Sequence, residues 1–297
     1  MHILLIHNPD AGHADDPDHD LPSLIRAAGH NVRVENKKSD FTPALLEPAD
    51  LVVIAGGDGS VSKVAGAIMD TDRLITILPV GTANNLARSL GIAGEPRELI
   101  AGWGHGNTVA LDAGIATHPS GRTVFFESAG FGLFTEAMCL AKSHGDAEDK
   151  FTPEERFDRD FRLLRRLAGS LVSQHCTIDV DGEVIHAEAV LCEIMNSRQI
   201  GSRLVLAPNA DIGDGLLDLV LVTAPDRAVL ESFLQRDPAD DHGPHLPVVR
   251  GRRFHITSRV ERIHLGDSIE RFPVTDQPWT LDIEVRPAAV QVLVPRL

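Results

Sequence analysis

Residues 51–91 read LVVIAGGDGSVSKVAGAIMDTDRLITILPVGTANNLARSLG, and the fold follows from how this stretch is divided. Leu51 to Ala55 is a short run of branched or small apolar side chains, expected as a strand buried on both faces. It stops at Gly56-Gly57-Asp58-Gly59-Ser60. Val61, Val64, Ala65 and Ile68 then recur at helical spacing, with Ser60 placed as an N-cap. Strand, glycine turn and helix start together make an anion site, because glycine lets the backbone approach phosphate oxygens and the free N–H groups of a first helical turn point at them. The unit then repeats. Leu74 to Leu78 is a second buried strand, Pro79-Val80-Gly81-Thr82 its turn, and Ala83 to Leu90 a short helix ended by Gly91 at C′. Two such turns at the carboxyl ends of neighbouring strands would face one crevice, where open α/β sheets bind their ligands. Taken alone, the GGDG turn is equally an ordinary tight turn, since Gly and Asp are common turn formers. The pair is the stronger signal.

Outward from this stretch the same rhythm holds. His2 to His7 is a buried strand ending in Asn8-Pro9-Asp10-Ala11-Gly12, a third turn of the same kind. Leu21, Leu24, Ile25 and Ala28 give one apolar helix face, Asn31 to Glu35 a strand, and Pro43 to Leu46 a helical turn. Alternation of strand and helix predicts a parallel sheet with helices on both faces. After Gly91 the pattern changes. Residues 94–108 end in the glycine-rich GWGHGNT, which reads as a boundary, and Asp112 follows it. From residue 122 the strands are mostly short and joined by turns, with Asp181-Gly182 as a hairpin signal, which fits an antiparallel sandwich. The expected division is an α/β domain over 1–112, completed by about 283–297, and a β-rich domain over 113–282.

Composition bounds the function. At 297 residues, 43% apolar and 24% charged, the chain can bury a full core and has an ordinary globular make-up. The formal charge of −15 argues against nucleic acid as a partner. No apolar run approaches the roughly 18 residues a membrane span needs, and the first strand begins at His2, so a cytoplasmic protein is expected. Cys139, Cys176 and Cys192 match neither a disulfide framework nor a zinc motif and read as small buried hydrophobes. Nothing reads as a coiled coil or a repeat, and oligomeric state is left open.

GGDGS followed by PVGTANNLARSLGI resembles the catalytic-domain signature of the diacylglycerol kinase superfamily, which includes bacterial lipid kinases, sphingosine kinases and ceramide kinases. NAD kinases share the first motif but lack the second, and they carry an Asn-Glu pair that is missing here. A third block, Ala207-Pro208-Asn209-Ala210-Asp211-Ile212-Gly213-Asp214-Gly215-Leu216-Leu217-Asp218, resembles the family's P-x-A-x-x-x-D-G-x-L-D segment. Ser128-Ala129-Gly130-Phe131-Gly132 resembles the glycine-rich segment that opens the lipid-binding helix, and Ile283 to Pro295 the closing strands. The resemblance implies a Rossmann-like α/β domain of the NAD kinase and diacylglycerol kinase type, followed by a mainly antiparallel β-sandwich.

It also implies site residues. Asn8, Gly56, Gly57, Gly59, Ser60, Gly81, Thr82 and Asn84 would contact ATP. Asp58 would act through Mg²⁺-bound water or hold the loop itself, Asp112 would lie near the transferred phosphate, and Asp214 would help to hold a structural Mg²⁺. Two positions depart from the family pattern. Asn85 stands where an acid is expected, and in Thr275-Asp276-Gln277-Pro278 the residue Gln277 stands where a Glu takes the acceptor's proton. A neutral amide cannot accept that proton, so Asp276, by a one-residue shift, or Asp112 is the substitute, or else the chain binds nucleotide and barely turns over. The implied activity is transfer of the γ-phosphate of Mg·ATP to a hydroxyl of diacylglycerol or a related lipid, with transient peripheral contact at the inner face of a membrane. The alternatives are a regulatory nucleotide-binding protein of the same fold and a kinase of a soluble hydroxyl compound. In FTPEERFDRDFRLLRRLAGSL, Phe157, Phe161, Leu164 and Ala168 form an apolar stripe. A solvated amphipathic helix is the plain reading, and a headgroup-facing patch of Arg162, Arg165 and Arg166 is the functional one.

Overall fold

A computed structural model describes residues 1–7, 20–36, 40–143, 153–201, 204–235, 243–273 and 275–297. The chain divides into two units, Met1–Asp112 with Pro287–Leu297, and Ala113–Arg286. In the first unit β1 (His2–His7), α1 (Leu21–Ala27), β2 (Asn31–Asn36), α2 (Thr42–Leu46), β3 (Leu51–Ala55), α3 (Asp58–Ile68), β4 (Leu74–Leu78), α4 (Asn85–Ser89) and α5 (Pro96–Gly102) follow one another. The sheet order is β2-β1-β3-β4, extended by the end of the last strand, β17 (Trp279–Val294), and every one of these pairings is parallel.

β3 lies between β1 and β4, and all five of its residues are buried, which is why its sequence is continuously apolar instead of alternating. Thr76 is the one hydroxyl in the buried part of β4, and it donates to the Leu293 carbonyl of β17 at 2.8 Å. Val61, Val64, Ala65 and Ile68 of α3 are all buried, as their spacing requires. The helix starts earlier than its sequence suggests. Gly57 is the N-cap and Ser60 is buried in the first turn, packed so closely over Gly56 that a Cβ there would lie 2.4 Å from the Ser60 Oγ. A bare backbone at Gly56 thus lets the helix begin as soon as the strand ends.

The second unit is antiparallel. Its strands are the end of β5 (Asn107–His118), then β6 (Gly121–Phe125), β7 (Ser128–Gly132), β8 (Gln174–Val180), β9 (Glu183–Met195), β10 (Gln199–Ile200), β11 (Leu204–Val205), β12 (Leu217–Thr223), β13 (Val248–Gly251), β14 (Arg253–Ser258), β15 (Arg262–Leu265), β16 (Ser268–Arg271) and the start of β17. They run in the order β16-β15-β7-β9-β8-β14-β17, with β12 pairing both β9 and β13. The hairpin between β8 and β9 turns at Asp181 (φ 51°) and Gly182 (φ 101°), the two successive left-handed residues that a two-residue turn demands. Gly114 faces Phe125 across the β5–β6 hairpin, and the ring occupies the place of the missing side chain.

Among the described residues three helices complete this unit: α6 (Leu133–Ser143), α7 (Pro153–Ala168) and α8 (Arg227–Leu234). Phe134, Phe161, Leu164, Ala168, Leu230 and Phe233 pack with Val190, Leu191, Val220 and Val222 of β9 and β12. The opposite side of β9 gives Cys192 and Ile194 to a separate core with Phe125, Phe131, Phe254 and Ile256. Burial on both faces explains why Ala189 to Met195 is apolar but for one Glu. The eight residues of α8 stand between segments that contain Pro and Asp, and the helix is seated through Leu230, Phe233 and Leu234, all buried. The apolar stripe of α7 is seated on protein from Phe161 onward, whereas the Phe157 side chain lies outside the described residues.

Candidate functional site

In the first unit the two glycine turns meet backbone to backbone. A Cβ built on Gly81 would stand 2.4 Å from the Gly57 Cα and 2.7 Å from its nitrogen. The Gly56 N–H donates to the Leu78 carbonyl at 3.1 Å, tying the ends of β3 and β4. Gly81→Ala is therefore expected to force the turns apart, since neither neighbour is a side chain that can swing away. Overpacking of this kind costs about 1–3 kcal/mol, read as a fall in melting temperature.

Asn84 and Asp58 close the arrangement. Asn84 is the N-cap of α4, in the left-handed region at φ 55°, where Asn is among the tolerated residues. Its side chain is engaged within the turn. Oδ1 accepts the Gly81 N–H at 3.0 Å, and Nδ2 donates to the carbonyls of Gly81 at 2.8 Å and Pro79 at 3.1 Å. With that side chain turned inward, the free donors at the start of α4 need another acceptor. The Asp58 carboxylate, at the start of α3, supplies it by accepting the Leu86 N–H at 2.9 Å. Asp58 thus holds the second turn to the first. Gly59 is exposed beside it, while Gly56, Gly57, Gly81 and Thr82 are part-buried. His7, at the carboxyl end of β1 and in register with Ala55, has its pKa pushed down by burial, which favours the neutral ring. Asn8 lies outside the described residues.

Asp112 is 1% exposed, and its Oδ1 accepts the N–H of Ala288 at 2.7 Å. Ala288 has φ 51°, a backbone state that L residues avoid, so this bond helps to fix a costly bend in β17. The Asp112 carboxylate faces protein.

The remaining expected residues belong to the second unit. Asp276 and Gln277 are exposed in the segment before β17, where the Thr275 hydroxyl donates to the Gln277 carbonyl at 2.9 Å. Asp214 sits in the turn before β12, but it does not present an open metal ligand. Its Oδ1 accepts the Leu216 N–H at 3.0 Å, and its Oδ2 is paired with the Arg250 guanidinium. Asp211 is folded onto its own turn, accepting the Gly213 N–H at 3.1 Å. Among the described residues no three His, Cys, Asp or Glu side chains are grouped so as to hold a metal. The donor set does not fit a bound Mg²⁺ at this turn. As for the thiols, burial pushes Cys176 up to about 11 and Cys192 well above its ordinary value, while Cys139 is part-exposed rather than buried.

Two features of α6 and α7 bear on an acceptor. Phe134, Ala137, Met138 and Ala141 of α6, with Phe161 and Leu164 of α7, line an almost wholly apolar cavity of about 120 Å³. The i, i+3, i+4, i+7 spacing on α6 is a sequence signal that would have found this face. Of the expected arginine patch, Arg162 and Arg166 are exposed, but Arg165 turns inward and donates through Nε to the Leu234 carbonyl at the end of α8 at 2.5 Å. The patch is smaller than its sequence suggests, because a long side chain at a helix–helix contact is recruited by the unsatisfied carbonyls of a neighbouring C-terminus.

An α/β unit with paired glycine turns, joined to an antiparallel β-sandwich, is the architecture of the diacylglycerol kinase and NAD kinase group. The family model for the diacylglycerol kinase catalytic domain matches residues 2–116, and that for the YegS C-terminal NAD kinase beta sandwich-like domain matches residues 147–294. The chain belongs to the diacylglycerol kinase catalytic-domain superfamily, with the bacterial lipid kinases of the YegS type among its relatives. It is 28% identical over 286 residues to the protein named diacylglycerol kinase in Mycobacterium tuberculosis (strain ATCC 25618 / H37Rv), covering 93% of this chain and 85% of that one. It is also 28% identical over 294 residues to the protein named "Probable lipid kinase YegS" in Escherichia coli (strain SMS-3-5 / SECEC), covering 92% of this chain and 89% of the relative. The crystal structure of a diacylglycerol kinase from Bacillus anthracis str. Sterne superposes with a TM-score of 0.69 at 21% identity, over 99% of this chain and 96% of that one, which establishes the shared fold. No helix among the described residues is long and apolar enough to cross a membrane.

Proposed function

We propose that this chain transfers the γ-phosphate of Mg·ATP to a hydroxyl of diacylglycerol or a related lipid. The observation that carries the lipid part is the mostly apolar cavity between α6 and α7, which at about 120 Å³ admits part of an alkyl chain and, with Asp160 its one charged lining residue, offers little to a soluble polyol or a nicotinamide nucleotide. Exposed Arg162 and Arg166 lie on α7, whose Phe161, Leu163 and Leu164 line that cavity. They favour transient contact with an anionic bilayer surface, at the inner face of the membrane for a cytoplasmic protein.

The nucleotide part rests on the glycine turns. Positioning and electrostatic stabilisation carry most of phosphoryl transfer, and turns held backbone to backbone are rigid supports for a polyphosphate. In the reaction the acceptor oxygen bonds to the γ-phosphorus, the bond from that phosphorus to the β–γ bridging oxygen breaks, and ADP leaves. The acceptor's proton needs a base. Gln277 cannot be that base, and we assign the role to Asp276, the neighbouring residue, whose carboxylate is exposed. Asp112, buried and bonded to Ala288, is assigned to positioning.

The test is transfer of labelled phosphate from Mg·ATP into chloroform-extractable product, using mixed micelles of diacylglycerol, sphingosine or total bacterial lipid. Labelled lipid is expected with the parent chain and with Gln277→Glu, and a loss of about 10²-fold or more is expected with Asp276→Asn. Saturable ATP binding without any labelled lipid would remove the lipid-kinase reading. Full activity of Asp276→Asn would remove Asp276 as the base and leave the rest standing.

A further inference from the structure

The acidic turn before β12 carries a charge arrangement that a metal site would not have. Asp214 and Asp218 flank Gly215-Leu216-Leu217, and Gly215 has φ 75°, so the chain reverses tightly just ahead of the strand. Asp218, on β12, is in register with Arg250 on β13. Arg250 reaches back from that position. One terminal nitrogen pairs with the Asp214 Oδ2, and its Nε lies 3.4 Å from the Asp218 Oδ1. Asp218 is 2% exposed, and a carboxylate so buried is costly without a cation beside it. The guanidinium answers that need and gathers both acids with one planar group, a task suited to Arg and not to a point charge.

A magnesium ion in the same place would need several oxygens in near-octahedral array at about 2.0–2.1 Å. The Asp214 oxygens already face the Leu216 N–H and Arg250. We infer that Arg250 is the resident cation of this turn, standing in for the structural metal that the family resemblance implies, so that the second unit keeps its acidic turn folded without a divalent ion. The inference concerns the second unit's stability and does not depend on which acceptor is phosphorylated. Sequence alone could not reveal it, because Arg250 lies 36 residues from Asp214 and only the pairing of β12 with β13 brings them together.

The experiment uses the full chain without nucleotide. Its melting temperature is measured in EDTA, in MgCl₂ and in CaCl₂, and MgCl₂ is titrated by calorimetry. The parent chain is expected to melt within about 1 °C in all three solutions and to show no saturable heat from MgCl₂. Arg250→Gln is expected to melt lower by about 5 °C or more, because Asp218 is left buried without its cation, and Arg250→Lys to fall between the two. A parent chain that loses stability on chelation, or that titrates one Mg²⁺ in a manner abolished by Asp214→Asn, would overturn the inference. So would an Arg250→Gln protein as stable as the parent. Should that variant fail to fold, the chelation and titration of the parent chain still decide the question.

Discussion

Asp58→Ala is expected to reduce phosphate transfer by about 10²-fold or more while the chain still folds. The reduction follows from position. The Asp58 carboxylate accepts the Leu86 N–H at 2.9 Å and so fixes α4 and the Gly81 turn against the Gly57 turn. Reacting groups displaced by about 1 Å lose on the order of 10² in rate. The thermodynamic cost is smaller, about 0.5–2 kcal/mol for a lost helix cap, and would appear as a modest fall in melting temperature. Asp58→Asn separates two roles. An amide oxygen can still accept the Leu86 N–H but carries no charge, so a pure clasp predicts activity well above that of Asp58→Ala. If Asn and Ala are equally inactive, the charge itself is needed and the clasp is insufficient. If Ala retains nearly full activity, Asp58 has no part in the site.

The second large effect concerns a pair outside the site. Glu193 on β9 and His264 on β15 are both buried, and the His264 Nε2 lies 2.8 Å and 3.0 Å from the two carboxylate oxygens. β7 runs between these strands, and the residue in register with both is Gly130. A Cβ on Gly130 would lie 2.7 Å from the Glu193 carboxyl, so glycine leaves the gap through which the pair meets. The other ring nitrogen, Nδ1, faces the Gly266 carbonyl at 3.2 Å. A carbonyl only accepts, so Nδ1 carries a proton, and a further proton must lie between Nε2 and the carboxylate. Burial pushes Glu193 up, and His264 is held above its ordinary value by the Glu193 carboxylate and the Gly266 carbonyl, which outweigh the opposing desolvation.

Both shifts have one sign, so the folded chain holds a proton that the unfolded chain releases. The stabilisation that comes from His264 is complete below the ordinary His value of about 6.5 and is lost as pH rises through its raised value in the folded chain. Breaking a buried pair by removing one partner costs about 3–5 kcal/mol. Glu193→Gln is therefore expected to melt about 10 °C below the parent near pH 6.5, with the gap narrowing toward pH 9. Equal stability at pH 6.5, or a gap that does not change with pH, would show that the pair does not hold this proton.

Much of the first unit is legible in sequence, for local reasons. Leu51–Ala55 and Leu74–Leu78 form strands with the limits their apolar runs suggest, since each run is closed by residues that cannot continue a buried strand. Gly91, at φ 73°, ends α4 as a left-handed residue should. In the second unit the hairpin at Asp181-Gly182 is equally local. The helical layer is less so. α8 and the seating of α7 on β9 and β12 depend on partners that no window of sequence contains.

By itself the sequence determined the parallel α/β unit, the antiparallel unit after it and the glycine turns, which rest on periodicity and on residues whose backbone freedom is written in their chemistry, and it pointed to the family through the resemblance of its motifs. Tertiary structure alone decided what the acids do. Asp58 reaches Leu86, 28 residues away, Asp214 reaches Arg250, 36 away, and Asp112 reaches Ala288, 176 away. A carboxylate in sequence is only a charge with two acceptor oxygens. Whether it caps a helix, pairs with a guanidinium or holds a left-handed residue is set by which donor the packed strands bring within about 3 Å of it.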